Sequence, residues 1–377
     1  MIPWALPLAQ YQAHRSSIQS AITRVLESGM YILGEEVRSF ERDFASYCEI
    51  PHAIGVASGT DAIILALKAI GIGPGDEVIT VSHTALATVA AVIACGAVPV
   101  LVDVDPTYYT IDPGCIEGAI TRQTKAILPV HLYGQAAEMD PILAIARRRQ
   151  LHVVEDCAQA VGARYHKVRV GSLGDIGCFS FYPTKNLGGI GDGGMITTTS
   201  ADLASRVQRL RQYGWDDSRN AREIGLNSRL DALQAAILSA KLPNLDADNA
   251  RRAAIASRYG KALAGLPITL PATLPDNTHV YHLYVVRCDQ RDHLQAHLST
   301  DQISSAVHYP VPVHRARAYA DNVVVPKGGL PVTSGIADRV LSLPMFPELT
   351  DAEIDSVIAS IRYYYEQRRG NQNRGWS

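Results

Sequence analysis

The chain has 377 residues with a formal net charge of -2, and 47% of its residues are hydrophobic while 19% are charged. This length suits one large domain plus a smaller one, and the composition is that of a globular protein. Because no run of about 18 apolar residues occurs, the sequence predicts no membrane span. The lack of a large basic block argues against nucleic acid as the main partner.

Two further features concern the cellular compartment and metals. The N-terminal residues carry no basic segment ahead of an apolar stretch, which argues against a signal peptide and predicts a cytoplasmic protein. The six cysteines are scattered, with no C-x-x-C pair and no histidines at zinc spacing. We therefore expect buried cysteines and no metal site.

Short apolar runs alternate with helical stretches from residue 53 to about residue 199. This alternation is typical of βα units around a mostly parallel sheet flanked by helices. The near-continuous Val and Ile content predicts that both faces of the sheet are covered. Strands are predicted at 53–57, 77–81, 98–102, 126–130, 152–155, 176–182 and 195–198, with helices from Thr60, Thr84, Pro141 and Ala201.

The character of the sequence changes beyond Gly225. Two amphipathic helices, 229–241 and 247–263, precede a proline-containing break and a strand at 280–287. A last helix is predicted to start at Thr350, with Glu353 completing a capping box. We therefore expect a large α/β domain at 1–245, a smaller C-terminal α+β domain at 246–366 and a disordered tail at 367–377.

The segment 178–195, CFSFYPTKNLGGIGDGGM, is typical of a buried strand that runs into a glycine-rich loop. Lys185 lies just past the end of this strand. Lysine is costly to bury, so Lys185 is either an ordinary solvated side chain or a chemically active one. Taken alone, the segment favours the solvated side chain. Its glycines are interpreted as flexible positions that let the backbone pass close to a ligand and to a partner subunit.

Ser58, Gly59, Thr60 and Asp61 lie between a predicted strand and an apolar helix. The free N–H groups and the positive end of the helix dipole would attract an anion, with a phosphate as the natural ligand. The hydroxyls of Ser58 and Thr60 would add two donors. The simpler interpretation is an ordinary helix N-cap, which this motif alone favours.

Asp156 and Gln159 follow the apolar run 151–154. In open α/β sheets ligands bind outside the carboxyl ends of the strands, which is where Asp156 is expected. A carboxylate there could keep a pyridinium nitrogen protonated, as pyridoxal phosphate requires, and Gln159 could donate to a ring oxygen. The alternative for Asp156 is a helix N-cap. The glycine runs 71–75 and 188–194 do not fit G-x-G-x-x-G between strand and helix, which argues against dinucleotide binding.

Two later segments carry polar groups whose default role is structural. In 225–229, GLNSR, Asn227 is an ordinary helix cap, while Arg229 is either a surface residue or an anion clamp. In 307–314, VHYPVPVH, prolines fix a turn that carries His308 and Tyr309. By default this turn is packing, and only its surroundings would make it a substrate wall.

Taken in order, these motifs resemble the DegT/DnrJ family of sugar aminotransferases, which have fold type I and use pyridoxal 5'-phosphate. The resemblance covers nearly the whole chain. It is carried by YILGEEV (31–37), SGTDA (58–62), GDEVI (75–79), PVHLYGQ (129–135), EDCAQA (155–160), FSFYPTKNLGGIGDGG (179–194), GLNSRLDALQAA (225–236), VHYPVPVH (307–314) and LSLPMFPELT (341–350).

The resemblance implies a role for each matching residue. Lys185 corresponds to the lysine that bonds covalently to the cofactor, Asp156 to the partner of the pyridine nitrogen and Gln159 to the group that faces the ring hydroxyl. Phosphate contacts are implied for Gly59, Thr60 and Ser180, beside Ser58. Asn227 corresponds to a residue that reaches the cofactor phosphate of the neighbouring subunit, which implies a homodimer with shared active sites. Substrate contacts are expected from Arg229, His308, Tyr309 and Tyr31.

One position departs from the family pattern. The family usually carries an aromatic residue stacked on the cofactor ring where this chain has Ala85. An alanine cannot stack. His83, two residues earlier and on the same side of an extended segment, is expected to supply a ring instead.

The resemblance predicts a transaminase that moves an amino group from L-glutamate to a nucleotide-linked keto sugar, in amino sugar and lipopolysaccharide or polysaccharide biosynthesis. Asp192 favours amination at C3 of a 3-keto sugar. Relatives that act at C4 of 4-keto-6-deoxy sugars, the alternative, more often carry glutamate there. A sugar dehydratase would carry histidine in place of Lys185. The other alternative is a non-catalytic regulator that binds pyridoxal phosphate.

Overall fold

The structure, a computed structural model, describes residues 1–374. The α-helices are α1 (Pro7–Ala13), α2 (Arg15–Ser28), α3 (Glu35–Tyr47), α4 (Gly59–Ala69), α5 (Leu86–Ala94), α6 (Met139–Arg149), α7 (Ala201–Leu210), α8 (Ala232–Lys241), α9 (Leu245–Leu263), α10 (Arg291–Thr300), α11 (Pro331–Ala337) and α12 (Asp351–Arg374). The strands are β1 (His52–Val56), β2 (Glu77–Val81), β3 (Val98–Val102), β4 (Thr124–Ile127), β5 (His152–Asp156), β6 (Arg164–Tyr165), β7 (Val168–Arg169), β8 (Ile176–Ser180), β9 (Gly194–Thr198), β10 (Tyr284–Arg287) and β11 (Val340–Leu343). Over residues 1–374, no helix is both long and apolar enough to cross a membrane.

Seven strands form one sheet in the order β1-β9-β8-β5-β4-β2-β3. Neighbouring strands pair in parallel except around β9, which runs antiparallel to both β1 and β8. The α/β class with a mostly parallel sheet is confirmed.

Helices cover both faces of this sheet, which explains why its strands are apolar along nearly their whole length. Buried side chains from α4, α5 and α7 pack on one face. Those of α2, α3, α6 and α8 pack on the other.

A separate core lies in the C-terminal part, where α9, α10 and α12 pack around the antiparallel pair β10 and β11. Helix α9 joins the two parts, because Leu245 at its start packs in the large core while Ile255 packs in the C-terminal one. The domain division at residues 245 and 246 stays a prediction.

The last helix starts at the predicted capping box. The Thr350 N–H donates to the Glu353 carboxylate at 2.9 Å, and the Glu353 N–H donates to the Thr350 hydroxyl at 3.2 Å. Helix α12 continues to Arg374, so the structure describes the first part of the expected disordered tail as helical. Arg368 supports this extension by donating to the Tyr364 hydroxyl at 2.7 Å. Residues 375–377 lie outside the described residues.

Candidate active site

Four predicted site residues lie at one edge of the sheet. Asp156 and Ser180 are the last residues of β5 and β8, while Ser58 and His83 each stand two residues after the end of β1 and β2. These four strands run in the same direction, so their carboxyl ends meet at this edge, where open α/β sheets bind ligands.

The N-terminus of α4 forms the first part of the site. Ser58 is its N-cap, because its hydroxyl accepts the Asp61 N–H at 3.1 Å. A Cβ atom on Gly59 would lie 2.6 Å from the Ser180 Cβ, so only glycine lets the helix start against the end of β8. The first N–H groups of a helix have no intrahelical partner, and together with the helix dipole they favour an anion. The N-cap interpretation is confirmed, and the phosphate contact stays a prediction.

Asp156 is buried, with 4% of its surface exposed. Its Oδ2 accepts the Thr88 hydroxyl at 2.8 Å and its Oδ1 accepts the Ala158 N–H at 3.1 Å. The alternative interpretation of Asp156 as a helix N-cap is wrong, because β5 is followed by turns and then by the short strand β6. Burial raises the pKa of Asp156, while these two hydrogen bonds and the charge of Lys185 act in the opposite direction. The carboxylate is therefore fixed in orientation and ready for a cationic partner.

Gln159 is held with its amide in one orientation. Its Oε1 accepts the Tyr133 N–H at 2.8 Å, and its Nε2 donates to the Tyr309 hydroxyl at 2.8 Å. The backbone donor at Oε1 fixes which end of the amide carries the hydrogens. Gln159 therefore presents N–H groups on the side where Tyr309 lies.

Lys185 follows β8 by a few residues, and its N–H donates to the Tyr182 carbonyl at 2.8 Å. Burial lowers the pKa of Lys185 to about 8, although the charge of Asp156 partly opposes that shift. The Lys185 charge in turn depresses the pKa of His308, which burial alone already lowers. Lys185, Asp156 and His308 therefore share one electrostatic environment, and the solvated alternative for Lys185 is disfavoured.

His83 is 1% exposed and lies in an aromatic cluster. Its Nε2 is 2.7 Å from the Tyr133 hydroxyl, and its ring meets those of Tyr133 and Tyr109 edge to face. Ala85 is the N-cap of α5 and offers no ring. Stacking of His83 on a cofactor ring stays a prediction.

The segment 225–229 is anchored to the start of α4. The Ser228 hydroxyl donates to the Asp61 carboxylate at 2.7 Å and accepts the Ala57 N–H at 3.2 Å. Its neighbour Asn227 is exposed. The contact of Asn227 with the cofactor phosphate of a neighbouring subunit stays a prediction.

Within residues 1–374, the contacts found for two predicted substrate residues, Arg229 and Tyr31, do not include Lys185. Arg229 lines a cavity of about 740 Å³ with Leu33 and Trp215, and Lys185 is not part of its wall. Tyr31 is half exposed, and its hydroxyl donates to the Leu26 carbonyl at 3.2 Å. Their substrate contacts stay predictions.

The glycine-rich loop is held in one conformation by hydrogen bonds and is not the flexible segment that the sequence predicts. The Gln234 amide accepts the Ile190 N–H at 2.8 Å and donates to the Ile190 carbonyl at 3.0 Å. A Cβ atom on Gly189 would lie 2.7 Å from the Gln234 Oε1, so glycine serves close packing here. Buried Lys241 donates to the Gly188 carbonyl. Asp192, the residue used to predict regiochemistry, is exposed beside this loop.

Three buried residues of metal-ligand type, His131, Glu155 and Cys157, lie next to one another. The Glu155 carboxylate already accepts four N–H groups, from His131 Nε2 and from the backbone of residues 171, 173 and 174, at 2.8 to 2.9 Å. With its lone pairs used in this way, Glu155 ties β5 to the turn before β8.

Sequence reasoning missed Thr88, which fixes Asp156, and Tyr133, which fixes Gln159. The only signals were the position of Thr88 one helical turn after Thr84, whose hydroxyl lies 2.8 Å away, and the place of Tyr133 inside PVHLYGQ. Neither signal distinguishes these residues from ordinary packing.

Comparison with known proteins identifies the family. Residues 12–362 match the model of the DegT/DnrJ/EryC1/StrS aminotransferase family. The chain is 48% identical to dTDP-3-amino-3,4,6-trideoxy-alpha-D-glucose transaminase of Streptomyces venezuelae, over 97% of each chain. It is 48% identical to dTDP-3-amino-3,6-dideoxy-alpha-D-galactopyranose transaminase of Aneurinibacillus thermoaerophilus, over 97% of this chain and 99% of the relative. It is also 49% identical to the erythromycin biosynthesis sensory transduction protein EryC1 of Saccharopolyspora erythraea, over 96% and 99%.

Solved structures agree with this assignment. The crystal structure of DesV from S. venezuelae superposes with a TM-score of 0.94 at 48% identity, covering 97% of this chain and 98% of DesV. NtdA from Bacillus subtilis, solved with bound cofactor PMP, superposes with a TM-score of 0.87 at 34% identity, covering 94% and 82%. The fold type expected from the sequence is confirmed, and the chain belongs to the DegT/DnrJ/EryC1/StrS aminotransferase family.

Proposed function

We propose that this protein is a pyridoxal-phosphate-dependent transaminase that moves an amino group from L-glutamate to C3 of a nucleotide-linked 3-keto sugar. The observation that carries the proposal is the convergence of Lys185, the fixed carboxylate of Asp156 and the N-terminus of α4 at one edge of the sheet. A half-buried lysine with a lowered pKa next to such a carboxylate is typical of a catalytic site.

The residues present fit this cofactor. Asp156 would hold the proton on the ring nitrogen, Gln159 would donate to the ring oxygen, and the N–H groups of Gly59 and Thr60 would bind the phosphate beside Ser180. When bound, pyridoxal phosphate supplies an electron sink for the charge that develops at the reacting carbon.

Lys185 does the proton transfer in both halves of the reaction. Its neutral Nζ removes the proton from Cα of glutamate in the first half. Within that half it would pass this proton to the cofactor carbon that bears the nitrogen; in the second half neutral Nζ would take a proton back from that carbon and deliver it to the sugar carbon that receives the nitrogen. One residue can serve as base and then as acid because its lowered pKa lies near physiological pH.

The lowered pKa of Lys185 predicts how cofactor-free protein takes up pyridoxal phosphate. The neutral amine attacks the aldehyde, and with a pKa of about 8 roughly one molecule in ten is neutral at pH 7, far more than for an ordinary lysine. We therefore expect the rate of uptake, followed by the growth of visible absorbance, to rise with pH, to be half-maximal near pH 8 and to level off above about pH 9. A rate that still rises through pH 10 would contradict this environment for Lys185.

Amination at C3 is supported by the two relatives whose names describe 3-amino sugars and by Asp192, with C4 amination of a 4-keto-6-deoxy sugar as the alternative. The test offers glutamate and a panel of dTDP- and UDP-linked 3-keto and 4-keto sugars, and NMR of the product identifies the aminated carbon. Nitrogen at C3 is expected. Nitrogen at C4 would replace the proposal by its alternative.

A regulator that binds cofactor without turnover is the second candidate, and the name of the S. erythraea relative favours it. Adding glutamate to the purified yellow protein separates the two. A transaminase loses its yellow absorbance within seconds to minutes, and 2-oxoglutarate is formed. A regulator keeps its absorbance.

We also propose a cytoplasmic homodimer in which Asn227 of each subunit reaches the cofactor phosphate of the other. The exposed position of Asn227 supports this arrangement. So does an exposed apolar surface of Leu8, Tyr182 and Ile190, of which Leu8 and Ile190 line a cavity of about 560 Å³ beside the Lys185 loop. A partner subunit on this surface would cover the apolar side chains.

Mixing two inactive variants tests the shared site. A dimer of Lys185→Ala with Asn227→Asp has one site with both defects and one intact site. Random remixing of equal amounts is expected to restore about a quarter of wild-type activity, because half of the dimers are mixed and each has one intact site. Either variant alone, taken through the same unfolding and refolding, is the control. Absence of recovery would contradict the role of Asn227 across the interface.

A further inference from the structure

Tyr133 lies in a short turn after β4, and each of its polar groups bonds to a different part of the chain. Its N–H donates to Gln159 at 2.8 Å, and its carbonyl accepts the Leu283 N–H at 3.2 Å. Its hydroxyl donates to the His308 carbonyl and lies 2.7 Å from His83 Nε2. Four segments, three of them distant along the chain from Tyr133, therefore meet at one residue.

The hydroxyl contacts fix the direction of the hydrogen bonds. A carbonyl can only accept, so the single O–H hydrogen of Tyr133 goes to His308. The Tyr133 oxygen must then accept from His83, which places the His83 proton on Nε2. Burial lowers the pKa of His83 to about 4, so the ring is neutral and keeps this one tautomer. If any donor and acceptor in this network were exchanged, at least one of these hydrogen bonds would be lost.

The backbone at Tyr133 supports a role beyond packing. Its φ is 61°, in the left-handed region that a bulky side chain rarely adopts and that costs about 1 kcal/mol or more. The next residue, Gly134, has φ of 120°, and a Cβ there would lie 2.8 Å from the His282 nitrogen. The turn is therefore pressed against the entry to β10 in a conformation that its surroundings maintain.

The two ends of the network face different ligands of the proposed reaction. Gln159 lies on the cofactor side, while His308 and Tyr309 belong to the segment predicted to contact the sugar. Tyr133 bonds to Gln159 through its N–H and to the His308 carbonyl through its hydroxyl. Gln159 in turn donates to the Tyr309 hydroxyl at 2.8 Å, which completes a closed circuit of hydrogen bonds. Among these hydrogen bonds, the one from the Tyr133 hydroxyl is the one that reaches the backbone of His308.

We propose that Tyr133 is a positioning residue that sets the place of the 308–309 segment relative to the cofactor and so determines binding of the keto sugar. This inference rests on the proposed function. Tyr133 does not need to touch either ligand. Its hydroxyl fixes the segment that does.

The test compares Tyr133→Phe with Tyr109→Phe. Both side chains are buried, both backbones have positive φ (61° and 64°), and the two rings meet edge to face with centroids 5.9 Å apart. Among the described residues the Tyr109 hydroxyl makes no hydrogen bond. Tyr109→Phe therefore controls for the removal of a tyrosine hydroxyl from this aromatic cluster without the loss of a hydrogen bond. Tyr133→Phe keeps the ring and the N–H to Gln159 and removes only the hydroxyl contacts.

For Tyr133→Phe we expect the KM for the nucleotide keto sugar to rise about tenfold because, of the two hydrogen bonds lost, the one to the His308 carbonyl is the one that holds the 308–309 segment. The rate at which glutamate removes the yellow absorbance and the affinity for pyridoxal phosphate should stay within about twofold of wild type. Tyr109→Phe should leave all three quantities unchanged. An unchanged sugar KM in Tyr133→Phe, or equal losses in both half-reactions, would overturn the proposal.

A measurement without substrate keeps this test separate from the proposed function. Amide hydrogen exchange of residues 305–313, followed by mass spectrometry, should become several-fold faster in Tyr133→Phe than in Tyr109→Phe. Equal exchange in the two variants would show that the hydroxyl does not hold the segment. Wild-type protein that glutamate fails to bleach would refute the proposed function and leave this result standing.

Discussion

Replacing Lys185 by alanine is expected to lower turnover by at least about 10³-fold, because one amine supplies both the attachment of the cofactor and the proton transfer. The visible absorbance of the purified protein should be lost with it. Cofactor should still bind, although more weakly, because Asp156, Gln159 and the α4 N-terminus remain. Absorbance spectra and steady-state rates with glutamate and a keto sugar measure both effects.

Lys125→Ala is the matched control, because Lys125 is exposed on β4 and its removal should change neither quantity. Turnover retained by Lys185→Ala would mean that another group performs the proton transfer. Normal absorbance would mean that another lysine carries the cofactor.

Replacing Glu41 by glutamine is expected to lower the free energy of unfolding by about 3 kcal/mol, because it leaves the Arg211 charge buried without its partner. Glu41 and Arg211 are 9% and 7% exposed, and their side chains meet at 2.5 Å. Glu41 also accepts the Gly55 N–H at 2.8 Å, while Arg211 donates to the Gly55 carbonyl at 2.7 Å. The pair therefore ties α3 and the end of α7 to the middle of β1.

Urea unfolding at one fixed protein concentration measures this loss. Glu35→Gln is the control on the same helix, because Glu35 pairs with Arg38 and Arg42 in solvent, where ion pairs contribute little. A stability loss in Glu41→Gln no larger than in Glu35→Gln would contradict the account of the buried pair.

Sequence reasoning located the large sheet well where burial on both faces makes a strand continuously apolar. Strands 77–81 and 98–102 were predicted with their observed bounds for this reason. Strand β10 was predicted at 280–287 but begins at Tyr284. The apolar residues before it are buried by another route, because the N–H groups of Val280 and Leu283 donate to carbonyls of the turn at 133–134. The amino-acid composition of an apolar segment does not show whether its backbone N–H groups will bond to a neighbouring strand or to a turn.

The residues proposed to contact the cofactor could be singled out because each stands in a short motif next to a strand end. The residues that orient them could not. Tyr133 and His308 are 175 positions apart along the chain, and the interaction that joins them depends on one hydroxyl. A local pattern contains no trace of such a contact, so Tyr133 looked like any other buried aromatic residue.

The close contact between Gly59 and Ser180 fixes the distance between the start of α4 and the end of β8. Because the start of α4 lies directly on the end of β8, the N–H groups proposed to bind the phosphate and the strand that leads to Lys185 form one rigid unit. A ligand held at both ends must span a length that the protein cannot adjust. We therefore expect the proposed site to favour a cofactor whose phosphate and reactive carbon are that far apart, in addition to the ring contacts of Asp156 and Gln159.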